Sequence, residues 1–162
     1  MRINLATSME SEEVLHVLNE ATVDLMKKEI DQWSYPWNKD YIDKEVQNHN
    51  VYVLIKDYRI IGTFFLEEIN RLSHLTLSPN SFYLSKIALL PEFQGKKLGA
   101  KLINYACSYA KELNKSLYLD CWSGNIKLRN FYSRNGFMYM GDFPEEDYFI
   151  SVFKYSSSSC IN

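Results

Sequence analysis

The side chains best placed for chemistry lie in residues 87–100, Ile-Ala-Leu-Leu-Pro-Glu-Phe-Gln-Gly-Lys-Lys-Leu-Gly-Ala. An apolar run ending in Ile87, Ala88 and Leu89 reads as a strand stopped by Pro91, and helical spacing begins at Gly99. Between them, Gln94, Gly95, Lys96, Lys97, Leu98, Gly99 and Ala100 make a tight glycine-bearing turn. A strand that feeds such a turn into a helix aims several backbone N–H groups and the positive helix end at one point, which suits a phosphate. Lys96, Lys97 and Lys101 add positive charge there. The turn follows a late strand and has neither a Gly-x-Gly-x-x-Gly pattern nor a Gly-Lys-Ser/Thr ending, which argues against a nucleotide-binding module.

The charge distribution agrees with a local polyanion site. Eighteen Lys and Arg against 20 Asp and Glu give a net charge of -2. Residues 94–134 hold eight basic residues and two acids, which is +6, so the remainder carries -8. A nucleic-acid binder is usually basic as a whole, whereas one basic segment in an acidic chain fits a small anion held at one place. The segment also reads as a solvated helix face.

The elements that must position this turn are mixed α and β without an internal repeat. Residues 2–6 read as a short strand, and Thr7 to Ser11 supply capping oxygens before a helix with Val14, Leu18, Ala21 and Leu25 on one face. Trp33 to Trp37 is an aromatic loop with a proline, and Asn38 caps a second short helix carrying Ile42 and Val46. Two strands, residues 51–56 and 59–68, meet at Asp57-Tyr58 as a hairpin. A polar loop is predicted over 70–81 and a strand over 82–90. The next helix buries Leu102, Ile103, Ala106, Ala110 and Leu113. Residues 116–122 form a strand, 126–134 a short helix ended by Asn135-Gly136, and 137–140 with 148–154 the last strands. One domain over 1–155 with a short flexible tail at 156–162 is the expected organisation.

The three cysteines, Cys107, Cys121 and Cys160, have no paired spacing, so neither a disulfide framework nor a cysteine zinc site is expected. No apolar run reaches a membrane span or a signal-peptide core, and a cytoplasmic location is expected. His16, His49 and His74 are scattered and read as surface residues.

Two spaced motifs together resemble the GNAT-type N-acetyltransferases. In that family the pyrophosphate loop reads Gln or Arg, two residues, Gly, one residue, Gly or Ala, and Gln94 to Gly99 is in that register, with Lys97 where a first glycine is usual. The family also has a strand, an Asn, a Tyr seven residues on and then Gly-Phe, as in Asn125, Tyr132 and Gly136-Phe137. Leu128 stands where a small Ala is common. The resemblance is close over residues 82–140 and follows the family's element order elsewhere. It implies a single GNAT-like domain, α/β with a central, mostly antiparallel, twisted sheet flanked by helices.

The resemblance also implies a function: transfer of an acetyl group from acetyl-CoA, without a metal, to a primary amine. The backbone of 95–100 would hold the pyrophosphate, Ile87 to Leu89 would pair with the pantetheine arm, and Asn125 would hydrogen-bond it. An N–H of that strand can stabilise charge developing on the thioester oxygen. Tyr132 would protonate the departing thiolate, which suits a phenol of pKa about 10; a core tyrosine is the bland alternative. An acceptor amine must lose a proton. Glu67 is the carboxylate named for that role, with Glu68, Asp120 and a water relay open beside it. Trp33, Tyr35, Trp37, Tyr83 and Trp122 could line the acceptor pocket or simply fill the core, and Glu67 or Glu145-Glu146-Asp147 could attract a cationic amine. The expected partner is a small-molecule or peptide amine, with no nucleic acid and no membrane, bound by a monomer or homodimer. The rival function is a non-catalytic acyl-CoA-binding or sensing domain.

Overall fold

A computed structural model describes residues 1–155; the predicted tail at 156–162, with Cys160, lies outside the described residues. In chain order the elements are β1 Arg2–Leu5, a 3-10 turn Ser8–Glu10, α1 Ser11–Lys27, α2 Lys39–Gln47, β2 Val51–Lys56, β3 Arg59–Leu72 and β4 Leu75–Leu89. A second 3-10 turn, Pro91–Phe93, leads to α3 Leu98–Glu112, β5 Leu117–Trp122, α4 Ile126–Arg134, β6 Met138–Pro144 and β7 Phe149–Tyr155. The strands form one sheet in the order β1-β2-β3-β4-β5-β7-β6. Among the registers described, β4 with β5 is parallel, and β1 with β2, β2 with β3, β5 with β7 and β6 with β7 are antiparallel. The expected α/β class with a mostly antiparallel sheet is therefore observed. The described residues divide into two compact units, 1–66 with 86–102, and 67–85 with 103–155.

In the first unit, Thr7 and Glu10 close a capping box ahead of α1, with the Thr7 N–H donating to Glu10 Oε1 at 2.9 Å. Val14, Leu18 and Ala21 are buried as their spacing predicts. Asn38 caps α2 by accepting from the Tyr41 N–H at 3.0 Å, and Ile42 and Val46 turn inward. Asp57 and Tyr58 both have positive φ, 51° and 64°, the twist a two-residue hairpin requires. The aromatic loop is fixed to α1: the Trp37 N–H donates to Asn19 Oδ1 and its indole N–H to Thr22 Oγ1. Trp37 stacks on Tyr41, and Tyr41 on Phe65.

In the second unit, the loop predicted over 70–81 is a hairpin instead. β3 runs to Leu72 and β4 starts at Leu75, with Ser73 at φ 53° in the turn. The Ser and Asn content suggested a loop, but Ile69, Leu72, Leu75 and Leu77 pack on Tyr118, Ile150 and Val152, and that burial outweighs local preference. The parallel register sets Phe82 beside Leu117 and Tyr83 beside Tyr118. Phe82 stacks on Tyr109 of α3 at 5.7 Å, and Tyr132 of α4 packs on Phe153, the partner of Leu119. The two helices thus cover the face that carries Phe82, Leu119 and Cys121, while Tyr83, Tyr118 and Asp120 point to the other. Ile103, Ala106 and Ala110 are buried, but Leu113 is exposed because α3 ends before it.

Candidate functional site

The predicted phosphate turn has the geometry its sequence requires. β4 ends against β3, where the Leu90 N–H donates to the Ile61 carbonyl at 2.9 Å. The strands come so close that a Cβ on Gly62 would stand 3.2 Å from the Ala88 carbonyl oxygen and 2.8 Å from Leu89 Cδ2. After Pro91–Phe93, the Gln94 side chain ties the turn to the strand by donating from Nε2 to the Leu89 carbonyl at 3.2 Å. Gly95 at φ 77° and Lys97 at φ 61° are both left-handed, and nothing lies within 4 Å of a Cβ built on Gly95. Lys97 therefore holds a conformation that favours glycine. The Lys101 N–H bonds back to the Lys97 carbonyl at 3.3 Å, so the N–H groups of Leu98, Gly99 and Ala100 fall in the first helical turn, which has no intrahelical acceptors for them.

Two basic residues outside this segment belong to the same corner. Lys56 Nζ, Arg59 and Lys96 Nζ all lie over the Phe93 ring, at 5.5, 5.8 and 5.5 Å from its centroid. Arg59 also pairs with Glu92 at 3.1 Å. Nothing in the local sequence of the β2–β3 hairpin marks it as part of an anion site. Only the pairing of β2 and β3 brings Lys56 opposite Arg59. A ring that orders three cations beside amide donors can hold a polyphosphate.

The second group of predicted residues lies around β5 and α4. Asn125 caps α4, its Oδ1 accepting from the Leu128 N–H at 3.1 Å, which leaves its amide nitrogen as the group able to donate elsewhere. Leu128 is half-buried. Tyr132 is buried among Phe131, Phe137 and Phe153. Burial, with smaller contributions from Cys121 and Asp120, raises its hydroxyl pKa, so it stays protonated at neutral pH. Burial likewise pushes the Cys121 thiol up to about 11.

On the opposite face of β5, the Tyr83 hydroxyl donates to both oxygens of Asp120, at 3.2 and 3.3 Å. Its pKa is raised well above the tyrosine range, first by burial, then by Asp120, and further by Glu67 and Tyr132. Tyr83, Asp120, Glu67 and Tyr132 are thus one electrostatic group. Glu68 is different: it is exposed and neutralised by Lys115 Nζ at 2.8 Å. Glu146 and Asp147 are exposed beside half-buried Glu145, whose N–H closes the turn by donating to the Tyr148 carbonyl at 2.8 Å. The three histidines are exposed, and no cluster able to hold a metal occurs among the described residues. No helix of the described residues is long and apolar enough to cross a membrane.

With the turn and the tyrosine in place, comparison with known proteins decides the family. The sequence profile of the Acetyltransferase (GNAT) family matches residues 17–137. The chain belongs to this family. An uncharacterized N-acetyltransferase encoded in the pepI 3' region of Lactobacillus delbrueckii subsp. lactis is 28% identical over 102 residues, 61% of this chain. The chain spans 58% of that relative's length. Among solved structures, a GNAT-family acetyltransferase of Streptococcus agalactiae superimposes with a TM-score of 0.81 at 19% identity, over 96% of this chain and 94% of that one. The PaiA N-acetyltransferase of Thermoplasma acidophilum, solved with coenzyme A, has a TM-score of 0.70 at 20% identity over 95% and 98%. The yncA protein of Salmonella typhimurium, solved with its cofactor acetyl-CoA, has a TM-score of 0.73 at 14% identity over 96% and 93%. At these identities the structures show that this GNAT chain has the GNAT fold.

Proposed function

We propose that this GNAT protein transfers the acetyl group of acetyl-CoA to a primary amine of a small-molecule or peptide acceptor, by direct attack and without a metal. The observation that carries the reading is the left-handed turn at Gly95 and Lys97, which opens α3 beside Lys96, Lys56 and Arg59. That arrangement fits the phosphates of a CoA, and two similar structures were solved with CoA or acetyl-CoA. The residues 94–100 take the phosphates, Ile87, Ala88 and Leu89 offer backbone to the pantetheine arm, and the free amide nitrogen of Asn125 donates to it. The work is assigned to the cytoplasm, by a monomer or homodimer.

The neutral amine attacks the thioester carbon, the C–S bond breaks, and Tyr132 gives its proton to the departing thiolate. Burial keeps the phenol protonated at neutral pH, so its proton is in place when the thiolate departs. Glu67, half-buried on β3 and acting on Tyr83 through its charge, takes the proton that the amine loses. Charge on the carbonyl oxygen is met by an N–H of the 87–89 strand.

Calorimetry with CoA tests the loop. Binding should weaken as salt rises, and Gly99→Val should reduce it by blocking close approach of the backbone. An amine panel scored by thiol release from acetyl-CoA then tests transfer. A protein that binds CoA yet releases no thiol with any amine is an acyl-CoA sensor instead.

A further inference from the structure

One face of α4 is used neither by its Asn125 cap nor by the packing of Tyr132. Ile126, Arg129, Asn130 and Ser133 line that face, and with Tyr139 of β6 and Phe153 of β7 they border a cleft of about 380 Å³. That volume is in the range of small-molecule sites. All six residues belong to the second unit.

The β6 wall of the cleft depends on one extra residue. Tyr139 pairs with Phe153 and Gly141 with Val152, which leaves Met140 over as a bulge. Residues three apart on a regular strand point to opposite faces, but the bulge puts Tyr139 and Asp142 on the same one. The Tyr139 hydroxyl donates to Asp142 Oδ1 at 2.7 Å, and the hydroxyl of fully buried Ser151 donates to the same oxygen at 2.6 Å. Tyr139 is thereby tied to the core.

Arg129 is fixed in turn by Tyr139. Its guanidinium carbon lies 5.3 Å from the centroid of that ring, and Nη1 donates to the Ser123 carbonyl at 3.1 Å. Among the described residues Arg129 makes no ion pair. Asp142 couples to it through charge, but the Asp142 carboxyl is held below the usual carboxylate range by Ser151 first, then by Tyr139, and least by Arg129. A half-buried guanidinium anchored by a ring and a carbonyl thus keeps N–H groups for a ligand.

A guanidinium takes a carboxylate through two parallel N–H bonds. Asn130 and Ser133 add an amide and a hydroxyl beside it, while Ile126, Tyr139 and Phe153 supply apolar surface. Phosphate alone would use the donors and leave the apolar surface wet. A flat apolar body bearing one carboxylate uses both. We propose that this cleft is a second ligand site, which takes a small aromatic carboxylate with its carboxylate on Arg129 and its ring against Ile126 and Tyr139. The site needs no CoA, so its test stands apart from that of acetyl transfer.

The test is an NMR titration of the protein with phenylacetate, its neutral isostere phenylacetamide, acetate and inorganic phosphate. Backbone amides of 126–133 and 139–142 and the Arg129 side-chain N–H report the cleft. Phenylacetate should shift them saturably by about 50 mM, the weak affinity usual for so small a ligand, and the other three should not. Arg129→Gln should weaken binding about 10- to 100-fold, the worth of charged hydrogen bonds, and Arg129→Lys should recover only part of that loss. Ser133→Glu sets a like charge at an exposed helix position, so it should weaken binding about 5- to 10-fold while signals away from the cleft keep their positions. No response to phenylacetate, an equal response to phenylacetamide, acetate or phosphate, or a Ser133→Glu protein that binds like the wild type overturns the proposal.

Discussion

Tyr132→Phe keeps a ring packed between Phe137 and Phe153 and deletes one hydroxyl. Acting as the acid for the thiolate, the hydroxyl should account for roughly 10- to 1,000-fold in turnover, while CoA affinity should hardly change because the proposed phosphate contacts belong to residues 94–100. Steady-state rates and a CoA titration on both proteins check this; an unchanged rate makes Tyr132 a core residue. Burial has a second consequence at this scale. Tyr83 and Tyr132 are raised above the ordinary value near 10, so in strong alkali the unfolded chain loses protons that the folded chain keeps. Their contribution to stability is complete below about pH 10 and falls as pH rises past it. Cys121 has the same sign in a lower window, from 9.0 to about 11. Urea unfolding at a series of alkaline pH values should therefore show stability declining with pH, less steeply in Tyr132→Phe. An equal slope in the variant would mean that its hydroxyl titrates freely.

At the scale of elements, what was legible in the sequence was local. The turn from Gln94 to Ala100, the Asn38 cap and the helix over 126–134 each depend on contiguous residues, and the structure forms all three. The β3–β4 hairpin was missed because its support comes from Tyr118, Ile150 and Val152, far along the chain. The Tyr83–Asp120 pair was unreadable for the same reason, since only the parallel register sets it. Gly62 links element to function. Leu89 Cδ2 can rotate away from an added methyl, but the Ala88 carbonyl at 3.2 Å belongs to the backbone and must shift by tenths of an ångström. Gly62→Ala should therefore cost on the order of 1 kcal/mol of stability and weaken CoA binding by moving the 87–89 strand. Thermal melts and calorimetry on the variant decide it; unaltered CoA affinity would remove that strand from the binding role.

For the whole molecule, net charge conceals the working field. A chain at -2 should repel a CoA carrying several negative charges, yet +6 sits in residues 94–134 and the remaining -8 lies outside them. The acidic remainder favours cationic over acidic acceptors, and a panel in which glutamate outperforms neutral and cationic amines would contradict that. The basic segment is not the whole of the proposed anion site, because Lys56 and Arg59 share the Phe93 ring with Lys96. Their contributions should differ. Arg59 is paired with Glu92, and that exposed pair lessens the charge it presents, whereas the cation–π contact orients Lys56 without neutralising it. Lys56→Gln should therefore lower CoA affinity more than Arg59→Gln at low ionic strength, by a few-fold for a partly screened charge. Above about 0.5 M salt, where the screening length falls to only a few ångströms, the two variants and the wild type should converge. Calorimetric titrations of CoA across a salt series give the three curves. Parallel curves that never converge would show that Lys56 acts by packing on Phe93 rather than by its charge.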